Sequence, residues 1–292
     1  MANPKMAEKF FAELPRWVTD SIRQSSKEGQ EMTDGTNPTI SQILNLLNDW
    51  RHLPFYSLET RAAPFFAVFM RELLSTHFDC EIHEILIPEF PLRIGTLYNE
   101  DERKQLQPEP SADQSYNVDY VAFAKDKRTA YLVELKTDMD SLRSQQDKYL
   151  IEARNKGLPA LVEGVKKMSK KSKKKQKYVH LLHRLSASGI ELVSMPDDTQ
   201  LYKKTFRRVV AGWTVALDQL ETDKQHFPNT KVVFVQPVER NPVDRSFEHI
   251  YFEEVANIVE RRGDLGALFA NHLRQWTKIA GTRDPRDICP PP

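Results

Sequence analysis

The stretch that most constrains how this chain can fold runs from Asn117 to Tyr149, where charged residues interrupt two strand-like runs. Asp119 opens the first run, and Glu134 and Lys136 interrupt the second. Strand side chains alternate between the two faces of a sheet, so Glu134 and Lys136 are expected to point the same way. Two carboxylates and an amine on adjacent strands are costly to bury unless a metal or a substrate needs them. The stretch therefore predicts a functional site built on two neighbouring strands.

The composition is that of an ordinary globular protein, with 292 residues of which 40% are hydrophobic and 28% charged. Cys80 and Cys289 are too few for a disulfide framework, which favours reduced thiols and a cytoplasmic location. The N-terminus lacks the apolar core of a secretory signal, and no run approaches the roughly 20 apolar residues of a membrane span. No membrane partner is therefore expected, and a formal net charge of +1 does not by itself indicate a polyanionic one.

Hydrophobic periodicity and turn residues predict an α/β protein. One or two strands are predicted at 81–96 and single strands at 117–124, 129–137, 231–236 and 249–252, with a short hairpin turn at Lys125–Arg128. Helices are predicted at 5–25, 41–50, 57–76, 141–156, twice within 158–190 around a basic junction, and at 199–221, 253–262 and 264–280. Polar, proline-containing loops are predicted at 26–38 and 99–116. The central part of the chain thus reads helix, three strands, helix and strand.

Changes in composition divide the chain into four predicted segments. They are an N-terminal helical cap at 1–50, a core formed by 51–157 with 228–262, an inserted basic helical region at 158–227, and a C-terminal helix with a disordered tail at 263–292.

The charged residues of the central stretch suit a hard divalent cation. Asp119 and Glu134 are separated by fourteen residues, which a tight hairpin can bring side by side. Carboxylate oxygens suit Mg²⁺ or Mn²⁺, and no cluster of cysteine or histidine offers a competing zinc site. Lys136, on the same face as Glu134, would stabilise charge that builds up on a phosphoryl group. The alternative is a surface hairpin whose Glu–Lys pair faces solvent.

Two flanking helices each carry a polar residue on the face that is expected to be buried. Glu59 shares a face with Ala62 and Phe66, and it is either a solvated acid favoured by the helix dipole or a group that reaches into a site. Gln146 lies four residues after Leu142 on the packing face of the next helix, and Gln145 lies closer to the edge of that face.

The pattern of Asp119, fourteen residues and then Glu134-Leu135-Lys136 resembles the PD-(D/E)XK nuclease superfamily. The resemblance covers about residues 57–156, with 231–236 as the next core strand. It implies a restriction-endonuclease-like core, in which a central mixed sheet is flanked by helices in the order α-β-β-β-α-β, with added N-terminal and C-terminal helices. The proline that gives the superfamily its name is absent, because Asn117-Val118 precedes Asp119.

The resemblance also implies roles for individual residues. Asp119 and Glu134 would bind Mg²⁺, for which Mn²⁺ would substitute, and the backbone carbonyl of Leu135 would join them. Lys136 would be catalytic. Glu59 matches a helix glutamate that assists with metal. Gln146, or Gln145, matches a glutamine that is common in several branches.

A run of lysines downstream has two readings. It is either a solvated face, as charge runs usually are, or a surface that follows a phosphate backbone. With a nuclease site nearby, the second reading is favoured, and its members are Lys166, Lys167, Lys170, Lys171, Lys173, Lys174, Lys175 and Lys177.

The function expected from these residues is metal-dependent hydrolysis of phosphodiester bonds, with DNA as the favoured substrate and endonuclease action favoured. Because nucleases that cut both strands are often dimers, a homodimer is a further expectation. The alternative is a nucleic-acid-binding or scaffolding protein that keeps the fold but has no catalytic activity.

Overall fold

Five strands form one mixed sheet in the order β1-β2-β3-β4-β5. Their bounds are β1 Ile87–Arg93, β2 Ser115–Phe123, β3 Thr129–Leu135, β4 Asn229–Gln236 and β5 Glu248–Tyr251. The pairs β1–β2 and β2–β3 are antiparallel, whereas β3–β4 and β4–β5 are parallel. Parallel neighbours require long crossovers, and these place helices on the faces of the sheet.

The computed structural model describes residues 40–50, 57–106, 108–138, 144–173, 175–190, 226–239 and 246–282. The predicted helices at 5–25 and 199–221, the loop at 26–38 and most of the tail lie outside these ranges. The sheet and the helices that cover it belong to the compact unit that begins at Leu44. The division into four segments stays a prediction.

Helices flank the sheet as the α/β prediction requires. Their bounds are α1 Ile40–Trp50, α2 Leu58–Phe78, α3 Ile94–Leu97, α4 Glu100–Lys104, α5 Ser144–Lys171, α6 Lys175–Ala187, α7 Phe252–Val259 and α8 Gly263–Thr282. The order of the main elements is α2-β1-β2-β3-α5-β4, with the short helices α3 and α4 placed between β1 and β2.

The two faces of the sheet bury separate hydrophobic clusters. One cluster joins the sheet to α5 and α6, and it includes Leu132, Leu161 and Leu182. The other joins the sheet to α2, α7 and α8, and it includes Val133, Phe66 and Phe269. Neighbouring residues of β3 therefore enter opposite cores, as the alternation of strand side chains predicts. Residues 158–171 and the described part of 175–190 contribute to the first of these cores.

Two stretches differ from the predicted elements. The predicted strand at 81–96 is shorter: before Ile87 the described residues form only an isolated bridge between Ile82 and Ala124, and at Ile94 the chain turns into α3. The predicted loop at 99–116 contains α4, which starts with a capping box: the Asn99 side chain accepts from the Glu102 N–H, and the Glu102 side chain accepts from the Asn99 N–H. This reciprocal pair satisfies two amides that a helix start otherwise leaves without partners, so a short polar helix forms where only a loop was expected.

Helix α5 is broken at Gly157, near the point where the sequence predicts one helix to end. Gly157 has φ 74° and ψ 160°, a region that is essentially restricted to glycine. The chain resumes helical geometry at once, because Pro159 has a φ suited to the first turn of a helix. The result is two helical segments with different directions.

Replacing Gly157 by alanine is expected to lower the free energy of unfolding by about 1–3 kcal/mol. A Cβ at this position would meet only Pro159 Cδ at 3.9 Å, so the cost comes from backbone conformation and not from a clash. Urea denaturation measures the change, with Lys156→Ala as the control on the neighbouring exposed position. Equal stability of Gly157→Ala and wild type would contradict the conformational argument.

Candidate metal centre

The site begins where β2 and β3 stop pairing. Tyr120 and Val133 are their last paired residues at this end, and the next pair would have been Asp119 and Glu134. The Leu135 N–H instead donates to Asp119 Oδ2 at 2.7 Å. On its other side β3 still pairs with β4, and the Lys136 N–H donates to the Val235 carbonyl at 2.8 Å. The two strands therefore part while both stay anchored, and the gap is lined by their polar side chains.

Glu134 is the most deeply buried of the acids, with 3% of its surface exposed. Its Oε1 accepts from Lys136 Nζ at 2.8 Å and from Gln146 Nε2 on α5. Its Oε2 is buried and has no hydrogen-bond donor among the described residues. A buried carboxylate oxygen without a donor is costly, so a ligand that supplies positive charge would stabilise it.

Glu59 reaches the same place from the opposite layer. It lies in the first turn of α2, after Ser57, whose side chain accepts from the Thr60 N–H. Glu59 Oε2 lies 3.5 Å from Lys136 Nζ. One oxygen from each of Glu59, Asp119 and Glu134 can be chosen so that all lie within 4.8 Å of one another. Of the two readings left open for Glu59, the structure places it in the site.

The cluster has raised proton affinities, chiefly because it is buried. Burial is the main cause that raises the pKa of Glu134 to about 8, with repulsion from Asp119 adding to it and Lys136 opposing it. Burial likewise raises the pKa of Glu59 to about 7, against the attraction of Lys136. Burial also raises the pKa of Asp119, although the bond from the Leu135 N–H lowers it. The single positive charge of Lys136 therefore does not neutralise the three clustered acids.

Lys136 contacts three oxygens of the cluster. Besides Glu134 and Glu59, its Nζ donates to the Leu135 carbonyl at 2.8 Å, and only 2% of the residue is exposed. Burial alone would lower the pKa of Lys136, but the charges of Glu134 and Glu59 outweigh it and raise the pKa. The Leu135 carbonyl, which the resemblance assigns to the metal, is therefore an acceptor for Lys136 in this geometry.

The donor set fits Mg²⁺ or Mn²⁺. It consists of carboxylate oxygens and one carbonyl, which are the ligands that hard divalent cations take. Glu134 Oε2 is buried without a donor, and the nearest cation to Glu59 Oε2 is Lys136 Nζ at 3.5 Å. Asp119, Glu134 and Glu59 would hold such an ion.

Gln146 supports the cluster from α5. It donates to Glu134 Oε1. Burial raises the pKa of Tyr149, one turn later, and the nearby Gln146 side chain acts against that rise. The side chain of Gln145 lies outside the described residues. Gln146 is therefore preferred over Gln145 as the matching glutamine only because it contacts Glu134. Tyr149, which the sequence suggests only as part of the buried face of the helix, stacks on Tyr116 with ring centroids 4.4 Å apart.

A further acid, Glu89, was missed by the sequence reasoning. The pairs Pro88–Tyr120 and Phe90–Val118 flank it in register, which places it across from Asp119. Glu89 is exposed and has φ 50°, a strained backbone for a residue other than glycine. Its charge contributes to the raised pKa of Asp119. An acid between two prolines in a strand-like run was the only signal for it.

The lysine run does not behave as one surface. Lys166 is 6% exposed and pairs with Glu163 at 2.6 Å, so it does not lie on a surface that could follow a phosphate backbone, and its place in the predicted run is corrected. It lies on the face of α5 that meets the core, next to Val165. The exposed members are Lys167, Lys170, Lys171, Lys173 and Lys177. Lys174 lies outside the described residues, and the side chain of Lys175 is not described.

Comparison with protein-family models, with curated proteins and with solved structures finds no match to this chain. None of the described helices has the length and apolarity needed to cross a membrane.

The metal-free protein is expected to lose stability as the pH rises from 6 to 9. The folded state keeps protons on Glu59 and Glu134 up to about 7 and about 8, whereas unfolded glutamates release them near 4.5. This stabilising contribution is therefore complete below the unfolded pKa and is lost as the pH passes the folded values.

Because Mn²⁺ competes with these protons, the amount by which Mn²⁺ stabilises the folded protein should grow over the same pH range, to about 2.7 kcal/mol at 100 times its Kd. Denaturant unfolding with and without Mn²⁺ measures both trends.

Glu134→Gln should flatten the pH trend and abolish the Mn²⁺ effect. Glu81→Gln is the matched control, because Glu81 pairs with Lys125 on the surface. A metal-free stability that rises between pH 6 and 9 would contradict the expectation.

Lys136→Met is expected to lower the Kd for Mn²⁺ by about tenfold or more, equivalent to about 1.4 kcal/mol. The reason is that the ammonium and the metal compete for oxygens of Glu134, Glu59 and Leu135. Calorimetric titration without substrate measures the affinity, and Lys148→Met on an exposed position of α5 is the control. Equal or weaker binding by Lys136→Met would mean that the lysine shapes the site without competing for it.

Proposed function

We propose that this chain is a divalent-metal-dependent nuclease with a restriction-endonuclease-like core, and that it hydrolyses phosphodiester bonds, with DNA as the favoured substrate. The order α2-β1-β2-β3-α5-β4 and the mixed sheet support the fold assignment. The single observation that carries the function is the cluster of Glu59, Asp119 and Glu134 around the buried ammonium of Lys136.

A chance pattern of Asp, Glu and Lys in a sequence would not bring these side chains together in the fold. A solvent-facing hairpin would leave Glu134 and Lys136 exposed, but they are 3% and 2% exposed. Glu59 joins them from a helix on one face of the sheet, and Gln146 from a helix on the other. Burying this many polar groups for stability alone is unfavourable, so a functional requirement for them is the better explanation.

The protein's own residues divide the work of hydrolysis. Asp119, Glu134 and Glu59 would hold Mg²⁺, which when bound polarises phosphate oxygens and makes water more acidic. Lys136 stabilises the negative charge that grows on the phosphoryl group as water adds to phosphorus and the ester oxygen leaves. Gln146 keeps Glu134 in place through its hydrogen bond. The products are one strand end with a phosphate monoester and one with a hydroxyl group.

Wild-type protein is expected to cut plasmid and linear DNA in Mg²⁺ or Mn²⁺ and to stop in EDTA. Lys136→Ala should lower kcat by about 100-fold or more, because it removes the positive charge nearest the reacting phosphate. Gel assays of nicked and linear products measure the rate. Lys125→Ala is the control, since Lys125 lies on the surface at the other end of the hairpin and pairs with Glu81.

Equal cutting by Lys136→Ala and wild type would overturn the assignment. If neither DNA nor RNA is hydrolysed while salt-sensitive binding persists, the protein is a nucleic-acid-binding relative without catalytic activity.

A further inference from the structure

Helix α5 leaves the metal centre and then returns to the same end of the sheet. Its first segment begins at the centre, where Gln146 donates to Glu134. It ends at the opposite end of the sheet, where the Leu158 N–H donates to Thr230 Oγ1 at 3.1 Å. Thr230 lies in the first part of β4, beside Ala130 near the start of β3. The break at Gly157 then reverses the chain.

The second segment of α5 runs back along β1. Gly164 packs so closely on this part that a Cβ would lie 2.6 Å from Thr96 Oγ1 and 3.2 Å from Arg93 Cβ. At its end, Lys171 Nζ donates to Asp113 Oδ2 at 2.7 Å. Asp113 stands just before β2, whose first residue, Ser115, pairs with Arg93 at the end of β1. Both contacts lie at the end of the sheet where β3 carries Glu134.

Helix α6 then leads away from this end. Arg184 Nη2 donates to the Leu86 carbonyl at 3.2 Å, and Leu86 precedes β1 at the opposite end of the sheet. The turn between α5 and α6 is therefore held at the end that carries the metal centre, on the β1 edge. We call the exposed lysines at this turn, Lys167, Lys170, Lys171 and Lys173, the lysine junction.

The lysine junction carries a surplus of positive charge. Lys171 and Arg93 share Asp113, to which Arg93 donates at 2.8 Å, so two cations meet one acid at this contact. Lys166, the buried member of the run, is paired with Glu163 and adds nothing to the surface. The contacts with Asp113 and Arg93 also fix the junction to the sheet, so its position relative to the centre is set by packed elements.

The spacing between the two sites matches a nucleic acid that passes both. Ser115 and Asp119 are four residues apart in one strand, which is about 13 Å. This distance corresponds to about four base pairs of duplex, at about 3.4 Å each. The lysines lie beyond Ser115, so a backbone held by them reaches the carboxylates only after several nucleotides.

We propose that the lysine junction binds the phosphate backbone of the substrate on one side of the scissile bond, at least about four nucleotides away from it. The inference rests on the proposed nuclease function and adds a second substrate-binding region to the metal centre. It predicts that the enzyme needs a duplex long enough to span both regions.

The first test replaces Lys167, Lys170 and Lys173 by glutamine and measures binding of a duplex in EDTA at several salt concentrations. The slope of log K against log salt should fall in magnitude by about 2 to 3, at about 0.9 for each phosphate contact. The matched control replaces three exposed lysines elsewhere, Lys125, Lys156 and Lys278, and should leave the slope unchanged. Triple replacement by arginine at the junction should retain it, which shows that charge and not folding is responsible. Equal slopes for the junction variant and its control would overturn the proposal.

The second test compares cleavage of hairpin duplexes with stems of about 4 base pairs, too short to span both regions, and about 20 base pairs. Wild type should show a much higher KM for the short stem, with kcat similar once the substrate is saturating. The junction variant should show the higher KM for both stems. If the junction variant still distinguishes the two lengths as wild type does, another surface binds the distal duplex and the proposal is wrong.

The outcomes separate this inference from the proposed function. Absence of hydrolysis together with a reduced salt slope in the junction variant would reject the nuclease function and retain the binding surface. Hydrolysis by wild type, together with an unchanged salt slope in the junction variant, would retain the nuclease function and reject the binding surface. A junction variant that loses binding to phosphatidylserine vesicles, but not to duplex, would assign the lysines to a membrane surface and overturn the proposal.

Discussion

The hydrogen bond from the Leu135 N–H to the carboxylate of Asp119 is the interaction on which the site depends. The Asp119 carboxylate accepts the hydrogen bond that a carbonyl of the neighbouring strand would otherwise accept. The strands β2 and β3 can therefore separate without leaving the Leu135 N–H unpaired. The separation lets Glu134 and Lys136 occupy the interior next to Asp119. If the Leu135 N–H were bonded to the backbone of β2 instead, the two strands would continue to pair and the gap that holds the acids would close.

The site combines two layers that are otherwise independent. Glu59 is carried by α2, which covers one face of the sheet together with α8, and Phe66 of α2 packs on Phe269 of α8 with ring centroids 5.1 Å apart. Gln146 is carried by α5 on the other face. The polar cluster lies where the two cores end, and its burial is costly on its own. Large apolar cores on both sides offset this cost, as expected where a functional site opposes stability.

Local sequence patterns predicted the parts of the site that depend on local geometry. The alternation of strand side chains placed Glu134 and Lys136 on one face, and helical spacing placed Glu59 and Gln146 on inward faces. Contacts between distant segments were not predictable in this way. The match of Glu89 with Asp119 depends on strand register, and the bond from Lys136 to its neighbouring carbonyl depends on the parting of the strands. Helix α4 was not predicted, although Asn99 and Glu102 have the sequence spacing of a capping box.

The layered origin of the site has a consequence for the chain during its synthesis. All three acids have been made by residue 134, yet the strand that anchors Lys136 through Val235 and the ring of Phe269 against Phe66 come about 100 residues or more later. A nascent chain on the ribosome therefore possesses all three acids of the cluster without the scaffold that brings them together. If the chain is the nuclease proposed above, cutting would become possible only after β4 and α8 have been made.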